Sequence, residues 1–304
     1  MAKKTKNNFR IGVLGNGEVG QAIANFYDNP LIKDLKKDDG LIGVDILHVC
    51  VPYQDNFEEI VAKEISQIKP QLTIIHSTIA PGTTKKLALK FSGMVVHSPV
   101  RGTHPYLYKG IKTFVKYIGA DNKKAALMAK KHLERLGIKT KIFMPSVTTE
   151  IGKVLDTTYY GLCIAWHGEM KKLCDRFKID FNKAVTDFNI TYNEGYKKLG
   201  KHNVVRPVLY PSEKGCGGHC VLENTILLRE SSNNLSPAFD FILSMGKEIN
   251  SIAEEKPCLN KTWLHCEYWG KGRSARDIAE ESGCSETNIL AILKRRNIPR
   301  RDFK

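Results

Sequence analysis

Long apolar runs are missing from this chain. The strongest, "VDILHVCVPY", is about half of the roughly 20 residues that a membrane-spanning helix needs, so no membrane span is expected. The basic opening "MAKKTKNNF" has no apolar segment behind it and does not read as a secretory signal. Paired cysteines are missing too. The eight cysteines are scattered with no spacing that suggests a disulfide framework, and a reduced, cytoplasmic setting fits them. Cys216, His219 and Cys220 stand too close together for an ordinary tetrahedral metal set, and no second C-x-x-C pair accompanies them. No metal is expected. Acidic residues are in short supply: 32 Asp and Glu against 47 Lys and Arg leave a net charge of +15. Such an excess suits a polyanionic partner, an anionic small substrate or a lysine-rich solvated surface. Its spread through "LIKDLKK", "DNKKAALMAKKH" and "YKKLGK" favours the solvated surface for most of the chain.

With 304 residues there is room for more than one domain and a sizeable core. "NFRIGVLGNGEVGQAIANFYDN" reads as a strand, a tight glycine turn and a helix. Gly15, Gly17 and Gly20 match G-x-G-x-x-G: the first glycine allows the turn, the second lets backbone approach a pyrophosphate, and the third lets helix and strand pack closely. Phosphate would then sit at a helix N-terminus, where unpaired N–H groups favour negative charge. The alternative is a structural glycine turn without a ligand. The acid that binds the ribose is expected at the end of the second strand, about 20 residues on. Asp34 in "PLIKDL" is the candidate, on a strand shortened by its proline, and is otherwise a solvated loop residue. Lys36 and Lys37 beside it leave a phosphorylated ribose open.

Near-continuous apolar runs at "VDILHVCVPY" (44–53) and "LTIIHSTIAPGTT" (72–84) suit strands of a parallel sheet buried on both faces. "NFEEIVAKEISQI" between them reads as a crossover helix, "GMVVHSPV" and "FVKYIGA" as later strands, and "DNKKAALMAKKHLERLG" as an amphipathic helix ending at Gly137. The expected fold class is α/β. Over 1–145 a Rossmann-type, doubly wound parallel sheet is expected.

The motifs "GNGEVG", "CVP", "HSTIAPGTT" and "HSP" occur in an order that resembles the UDP-glucose/GDP-mannose dehydrogenase family. "TEIGKVLDTTYYGLCIAWHGEMKKLCDRFKID" (149–180) is similar to that family's long central helix, matching at Glu150, Lys153, Tyr159, Ala165, Glu169, Cys174, Asp175, Ile179 and Asp180. "GCGGHC" resembles its nucleophile loop, G-x-G-G-x-C, and the likeness covers about residues 8–228. It implies oxidation of a nucleotide sugar's primary alcohol to a carboxylate with two NAD+. Cys220 would add to the intermediate aldehyde, the thiolate being the nucleophile, and a second hydride loss would give a thioester that water releases. Lys153 would stabilise the oxyanion; read from its helix alone it is a plain surface lysine. Thr78 would orient water or the nicotinamide amide, Gly217 and Gly218 would lie against the substrate, and Arg206 is a substrate contact or a surface residue. The long helix would form a homodimer contact.

The chain departs from the family at Val100, where an acid usually follows "SP", at Thr157 in place of Asn, and at Leu222, Glu223 and Asn224 in place of Pro-x-Asp. In the family the missing acids handle water, so here thioester hydrolysis would fall to Glu223 or Glu150. The reading leaves no room between "ILLRESSNN" and the tail for the family's third domain, so recognition of a UDP group does not carry over.

The tail has a different character. "SARDIAEES" reads as a helix capped by Ser274, and "ETNILAILKRR" as a second one capped by Ser285. With "KTWLHCEYWGKG" as a first helix, and Trp263, Leu264 and Tyr268 as its core, the tail resembles the helix-turn-helix modules of resolvases and phage proteins. Glu286, Thr287 and Asn288 would then lie near that helix's exposed N-terminal end, Thr287 and Asn288 reading base edges, and Lys294, Arg295, Arg296, Arg300 and Arg301 would hold phosphates. The alternative is a three-helix cap with a solvated basic end.

The expected domains are therefore 1–145 for NAD binding, 146–256 as a helical dimerisation domain with the nucleophile loop, and 257–304 as the helix-turn-helix. Two functions fit these features. One is an NAD-dependent dehydrogenase acting on a nucleotide-sugar-like small molecule; the other is a DNA-binding protein whose dehydrogenase-like body binds NAD(H) or only dimerises.

Overall fold

Strands β1 (Ile11–Leu14), β4 (Ile46–Val49) and β5 (Leu72–Ile75) are buried along their whole length. Runs without polar alternation cannot face water on either side, and both faces of this sheet carry helices. In the computed structural model, residues 9–103, 105–211, 219–233, 235–254, 264–282, 285–295 and 298–299 are described. They divide into a first unit, Met1–Tyr159 with Asn224–Leu235, and a second, Tyr160–Glu223 with Ser236–Lys304.

The first unit also contains strands β2 (Leu31–Asp34), β3 (Lys37–Asp38), β6 (Val95–His97), β7 (Lys116–Ala120) and β8 (Thr140–Phe143). Together the eight form one sheet in the order β3-β2-β1-β4-β5-β6-β7-β8. Pairing is parallel except at β2–β3 and β6–β7. The strands are shorter than their apolar runs, for a geometric reason. Leu14 pairs with Val49 and Val49 with Ile75, so where β1 ends at the glycine turn its neighbours lose their partners and leave the sheet together. The segments that follow, from Gly15, Cys50, His76 and Ser98, therefore emerge side by side along one edge.

Helices α1 (Glu18–Ala24), α4 (Leu107–Thr113) and α5 (Lys123–Arg135) share one apolar layer with Ile46, Ile74 and Ile118. Helices α2 (Phe57–Ile68) and α3 (Thr83–Lys90) lie in the opposite layer with Leu47, Val49 and Ile75. Asn122 caps α5, its side chain accepting from Lys124 N at 2.8 Å.

Helix α6 (Val147–Arg176) runs 30 residues, beginning in the first unit and ending in the second. It stops where Lys178 takes up a left-handed conformation (φ 55°) and Ile179 N bonds back to Cys174 O. A π-helical turn, Asn182–Thr186, then leads into α7 (Asp187–Lys198). Helices α8 (His219–Ser231) and α9 (Pro237–Glu254) follow, and Val221, Ile242 and Met245 pack with Ala165 of α6. Near the C-terminus, α10 (Ala275–Glu281) opens with a capping box between Ser274 and Asp277, and α11 (Glu286–Arg295) has Asn288 N donating to Ser285 Oγ at 3.2 Å. Leu264, Tyr268, Ile278, Ile289 and Ile292 give this stretch an apolar cluster of its own. Among the described residues no helix is long and apolar enough to cross a membrane.

Candidate functional site

Gly15 sits at φ 99°, a conformation side chains rarely adopt, and the chain turns there directly off β1. A Cβ on Gly20 would stand 1.9 Å from Gly15 O, so the helix and turn touch backbone to backbone. Gly17 differs: a Cβ there meets nothing within 4 Å. The protein's own packing does not require a glycine at that position, whereas a ligand lying against the backbone would. Asp34 is the last residue of β2, and its Oδ2 accepts from Asn16 N at 2.6 Å, in the middle of the turn. The short second strand thus brings Asp34 and the three glycines together. Gln21 Nε2 donates to Asn16 O at 3.0 Å and steadies the same turn.

Further along the edge, Thr78 follows β5 and is half-buried. Ser77 beside it donates from Oγ to Val51 O at 2.6 Å and accepts at its carbonyl from His97 Nε2 at 3.1 Å. His97 Nδ1 in turn lies 2.9 Å from Thr149 Oγ1 in the first turn of α6. Burial pushes His97 down to about 3; the Ser77 hydrogen bond opposes this and the charges of Lys116 and Lys153 add to it. Lys153, one turn beyond Thr149, is half-buried, and its charge is felt at both His97 and Lys116. Thr78 and Lys153 are therefore held by neighbouring segments tied together through Ser77, His97 and Thr149.

Glu150, a candidate water-handling acid, is fully buried and already engaged: its two oxygens accept from Gly82 N at 2.6 Å and Thr84 N at 2.8 Å, capping α3. Val100 is buried in the core layer with α4 and α5. Arg101 after it stacks its guanidinium 4.2 Å from the Tyr117 ring centroid and bonds Val115 O.

Cys220 opens α8 and is exposed, in the second unit. Asn224, one turn on, is buried, while Glu223 is exposed. Arg206 is clipped through its main chain, donating from N to Asn193 Oδ1 at 2.8 Å and accepting at O from Asn193 Nδ2 at 2.9 Å. Its guanidinium stacks 4.0 Å from the Tyr192 centroid and 5.5 Å from that of Tyr196. Thr287 and Asn288 are exposed at the start of α11. Gly217, Gly218, Arg296, Cys216, Trp263, Arg300 and Arg301 lie outside the described residues, as do the side chains of His219, Lys294 and Arg295. No metal-ligand cluster occurs among the described residues.

Sequence reasoning passed over Lys116, His48 and His76, all buried. Burial pushes Lys116 down to about 7 and holds His48 and His76 well below the usual imidazole range. A signal was present: "ILH", "IIH" and "VVH" place a histidine at the same point of three apolar runs.

No family model matches the chain. It is 30% identical over 201 residues to the UDP-N-acetyl-D-mannosamine dehydrogenase of Methanococcus maripaludis (strain C7 / ATCC BAA-1331), covering 61% of this chain and 44% of that protein. It is 31% identical over 198 residues to the enzyme of the same name from Methanocaldococcus jannaschii, covering 62% and 42%. The chain thus spans less than half the length of these curated relatives. The solved UDP-D-ManNAc dehydrogenase of Pyrococcus horikoshii superposes with a TM-score of 0.65 at 20% identity, over 85% of this chain and 72% of that one. At that identity the likeness speaks for the fold alone, which is α/β and Rossmann-like.

Proposed function

We propose that the chain is an NAD-dependent oxidoreductase similar to the nucleotide-sugar dehydrogenases, oxidising a primary alcohol through Cys220 in a reduced, cytoplasmic setting. The observation that carries this reading is the glycine turn with the Asp34 carboxylate on it and open space over Gly17. NAD+, when bound, accepts the hydride from the alcohol carbon. Gly15, Gly17 and Gly20 would let its pyrophosphate lie against backbone, and Asp34 would accept from ribose hydroxyls. Thr78 would orient the nicotinamide amide or a water. Lys153 would hold the oxyanion that forms when the Cys220 thiolate adds to the aldehyde. Gly217, Gly218 and Arg206 would line the substrate. The hydride lost when the thiohemiacetal collapses to a thioester on Cys220 would pass to a second NAD+, and water would release the acid. Because both oxygens of Glu150 cap α3, Glu223 is the acid beside Cys220 on α8 that remains to handle that water. The named relatives support a UDP-activated sugar as the substrate class.

A homodimer through α6 belongs to the same reading. Leu155, Trp166 and Leu173 stand exposed along one face of that helix, an apolar stripe of the kind that packs against a second helix. The test incubates the protein with NAD+ and a panel of nucleotide sugars while NADH is followed, beside Cys220→Ala. One sugar is expected to yield NADH, and the alanine variant is expected to lose about 10³-fold or more in turnover. Silence with every sugar rules the reading out. Undiminished NADH from Cys220→Ala rules out the route through a Cys220 thioester.

A second reading, DNA binding by a C-terminal helix-turn-helix, is favoured by one observation. The tail's helices have their own apolar cluster, and Ser285–Asn288 is left exposed at the start of α11. Thr287 and Asn288 would read bases, and Lys294, Arg295 and Arg296 would neutralise phosphates. Truncation at about residue 257 is expected to abolish a salt-sensitive DNA affinity. If the whole and truncated chains respond to salt alike, the tail does not bind DNA.

A further inference from the structure

A row of polar side chains crosses the apolar layer between the sheet and helices α1 and α5, and the proposed chemistry does not use it. Its members are His132 of α5, Tyr27 just after α1, His48 of β4 and His76 at the end of β5, all buried. His132 Nε2 lies 2.7 Å from the Tyr27 hydroxyl, which lies 2.9 Å from His48 Nε2. His48 Nδ1 lies 2.9 Å from His76 Nε2, and His76 Nδ1 lies 2.8 Å from Ser98 O. The last acceptor sets every proton. A carbonyl only accepts, so His76 carries its hydrogen on Nδ1 and presents a bare Nε2. His48 must then donate from Nδ1, its Nε2 accepts from the Tyr27 hydroxyl, and His132 donates from Nε2 to the Tyr27 oxygen. Burial holds these imidazoles neutral, His132 down to about 4 and the other two well below the usual range.

Lys116 reaches the same carbonyl from the other side. The first residue of β7, it is only 4% exposed and donates from Nζ to Ser98 O at 2.8 Å and to Pro99 O at 3.2 Å. Ser98 Oγ donates to Tyr117 O at 2.7 Å and ties the corner to β7. A buried amine is costly unless its hydrogen bonds are met, and an apolar side chain of similar volume would fill this space more cheaply. What the amine supplies is a donor to two converging carbonyls at the sheet edge. The corner they belong to leaves β6 next to Ser77 and Thr78, since the preceding His97 bonds Ser77 O.

We propose that Lys116 and His76 are positioning residues: from beneath the sheet edge they fix the Ser98 and Pro99 carbonyls, and so orient the Ser98–Arg101 corner as a wall of the dinucleotide-binding edge. The wall's ligand rests on the function proposed above; the positioning itself does not.

Nuclear magnetic resonance of the isotopically labelled full chain tests it. His48 and His76 are expected as single neutral tautomers protonated on Nδ1, and His132 on Nε2; Nδ1-bare forms of His48 and His76 overturn the row. Lys116→Met is expected to shift the amides of Val100, Arg101 and Gly102 and to raise their hydrogen exchange at least tenfold, with β1 and β4 unchanged. Unmoved corner amides overturn the proposal.

Should that variant not fold, the native chain decides by titration. Facing Lys116 are Cys50, His48, His76, His97, Arg101 and Lys153. The imidazoles stay neutral and burial pushes the Cys50 thiol up to about 12, which leaves a midpoint near 7 to Lys116. The three corner amides are expected to move with that midpoint, and their failure to do so overturns the proposal. NADH binding, followed by nicotinamide fluorescence, is expected to weaken at least tenfold in Lys116→Met. If the native chain binds no NADH, the dinucleotide reading fails while the resonance experiments still decide the positioning.

Discussion

Alanine at Gly20 is expected to cost about 3 kcal/mol or more of folding stability, whereas alanine at Gly17 is expected to leave stability unchanged or raise it by up to about 1 kcal/mol. The two glycines belong to one motif, but the structure separates their reasons. At Gly20 an added Cβ falls 1.9 Å from Gly15 O and 2.9 Å from Gly15 C. That neighbour is main chain, in a turn already at φ 99°, so no rotamer change relieves the clash. Helix α1 must lift from β1, opening the layer that Ala22 and Ile23 share with Val13. At Gly17 the backbone is in an ordinary extended conformation, φ −71° and ψ −171°, and the space above it is open. An alanine there fits and reduces the freedom of the unfolded chain. Its methyl group nonetheless occupies the approach a pyrophosphate would take. Urea unfolding of both variants measures the first difference, and NADH binding to Gly17→Ala measures the second. A folded Gly17→Ala chain that binds NADH as tightly as the native one would show that the turn does not cradle phosphate.

The same contrast explains what was legible in the sequence. The glycine turn, the truncated second strand and Asp34 at its end were readable because each depends on a few consecutive residues. Helix α5 with its end at Gly137 and the caps at Ser274 and Ser285 were readable for the same reason, and the long helix through its likeness to the family's central helix. The antiparallel junction at β6–β7 and the edge strand β8 were not, since pairing direction and sheet order are decided by partners far away in the chain. Glu150 shows the limit for chemistry. Its place on the helix made it a candidate acid, but its use as the cap of α3 depends on Gly82 and Thr84, more than sixty residues earlier. The buried row is more extreme: the turn after α1, strand β4, the chain just beyond β5, and helix α5 each contribute one member, and none has a meaning as a hydrogen-bond partner without the other three. The histidine repeated in three apolar runs was visible as a pattern. That His76 and Lys116 meet at one carbonyl, while His97 turns to Ser77 O, was not.

That buried polar set leads to the second large effect, a stability that falls steeply in mild acid. Burial holds His97 down to about 3 and His132 down to about 4, with His48 and His76 also well below the ordinary 6.5. Between that ordinary value and the folded ones the unfolded chain binds protons that the native chain does not. Stability therefore rises with pH across this window and is lost as pH falls from about 6.5 toward 4. Each imidazole contributes up to about 1.4 kcal/mol per pH unit there. All four act in the same direction, against a typical total of about 5–15 kcal/mol. Lys116 adds a second window of the same sign: held down to about 7 from 10.5, it makes stability climb further as pH rises from 7. Tyr27 reverses the trend. Burial raises its phenol well above 10, so the stability it contributes is lost at more alkaline pH. The depressed carboxylates, Asp39, Glu267 and Asp277, act below the histidine window, and exposed partners screen them. The optimum is thus displaced to about pH 9, above the usual range of about 5 to 8. Urea midpoints measured from pH 4 to 10 check this. The expected curve rises from acid to a mildly alkaline maximum, with cooperative loss of the fold between about pH 6 and 4. A maximum near pH 5 to 6 would mean that the imidazoles take up protons in the folded chain, which contradicts a dry row fixed in one direction of hydrogen bonding.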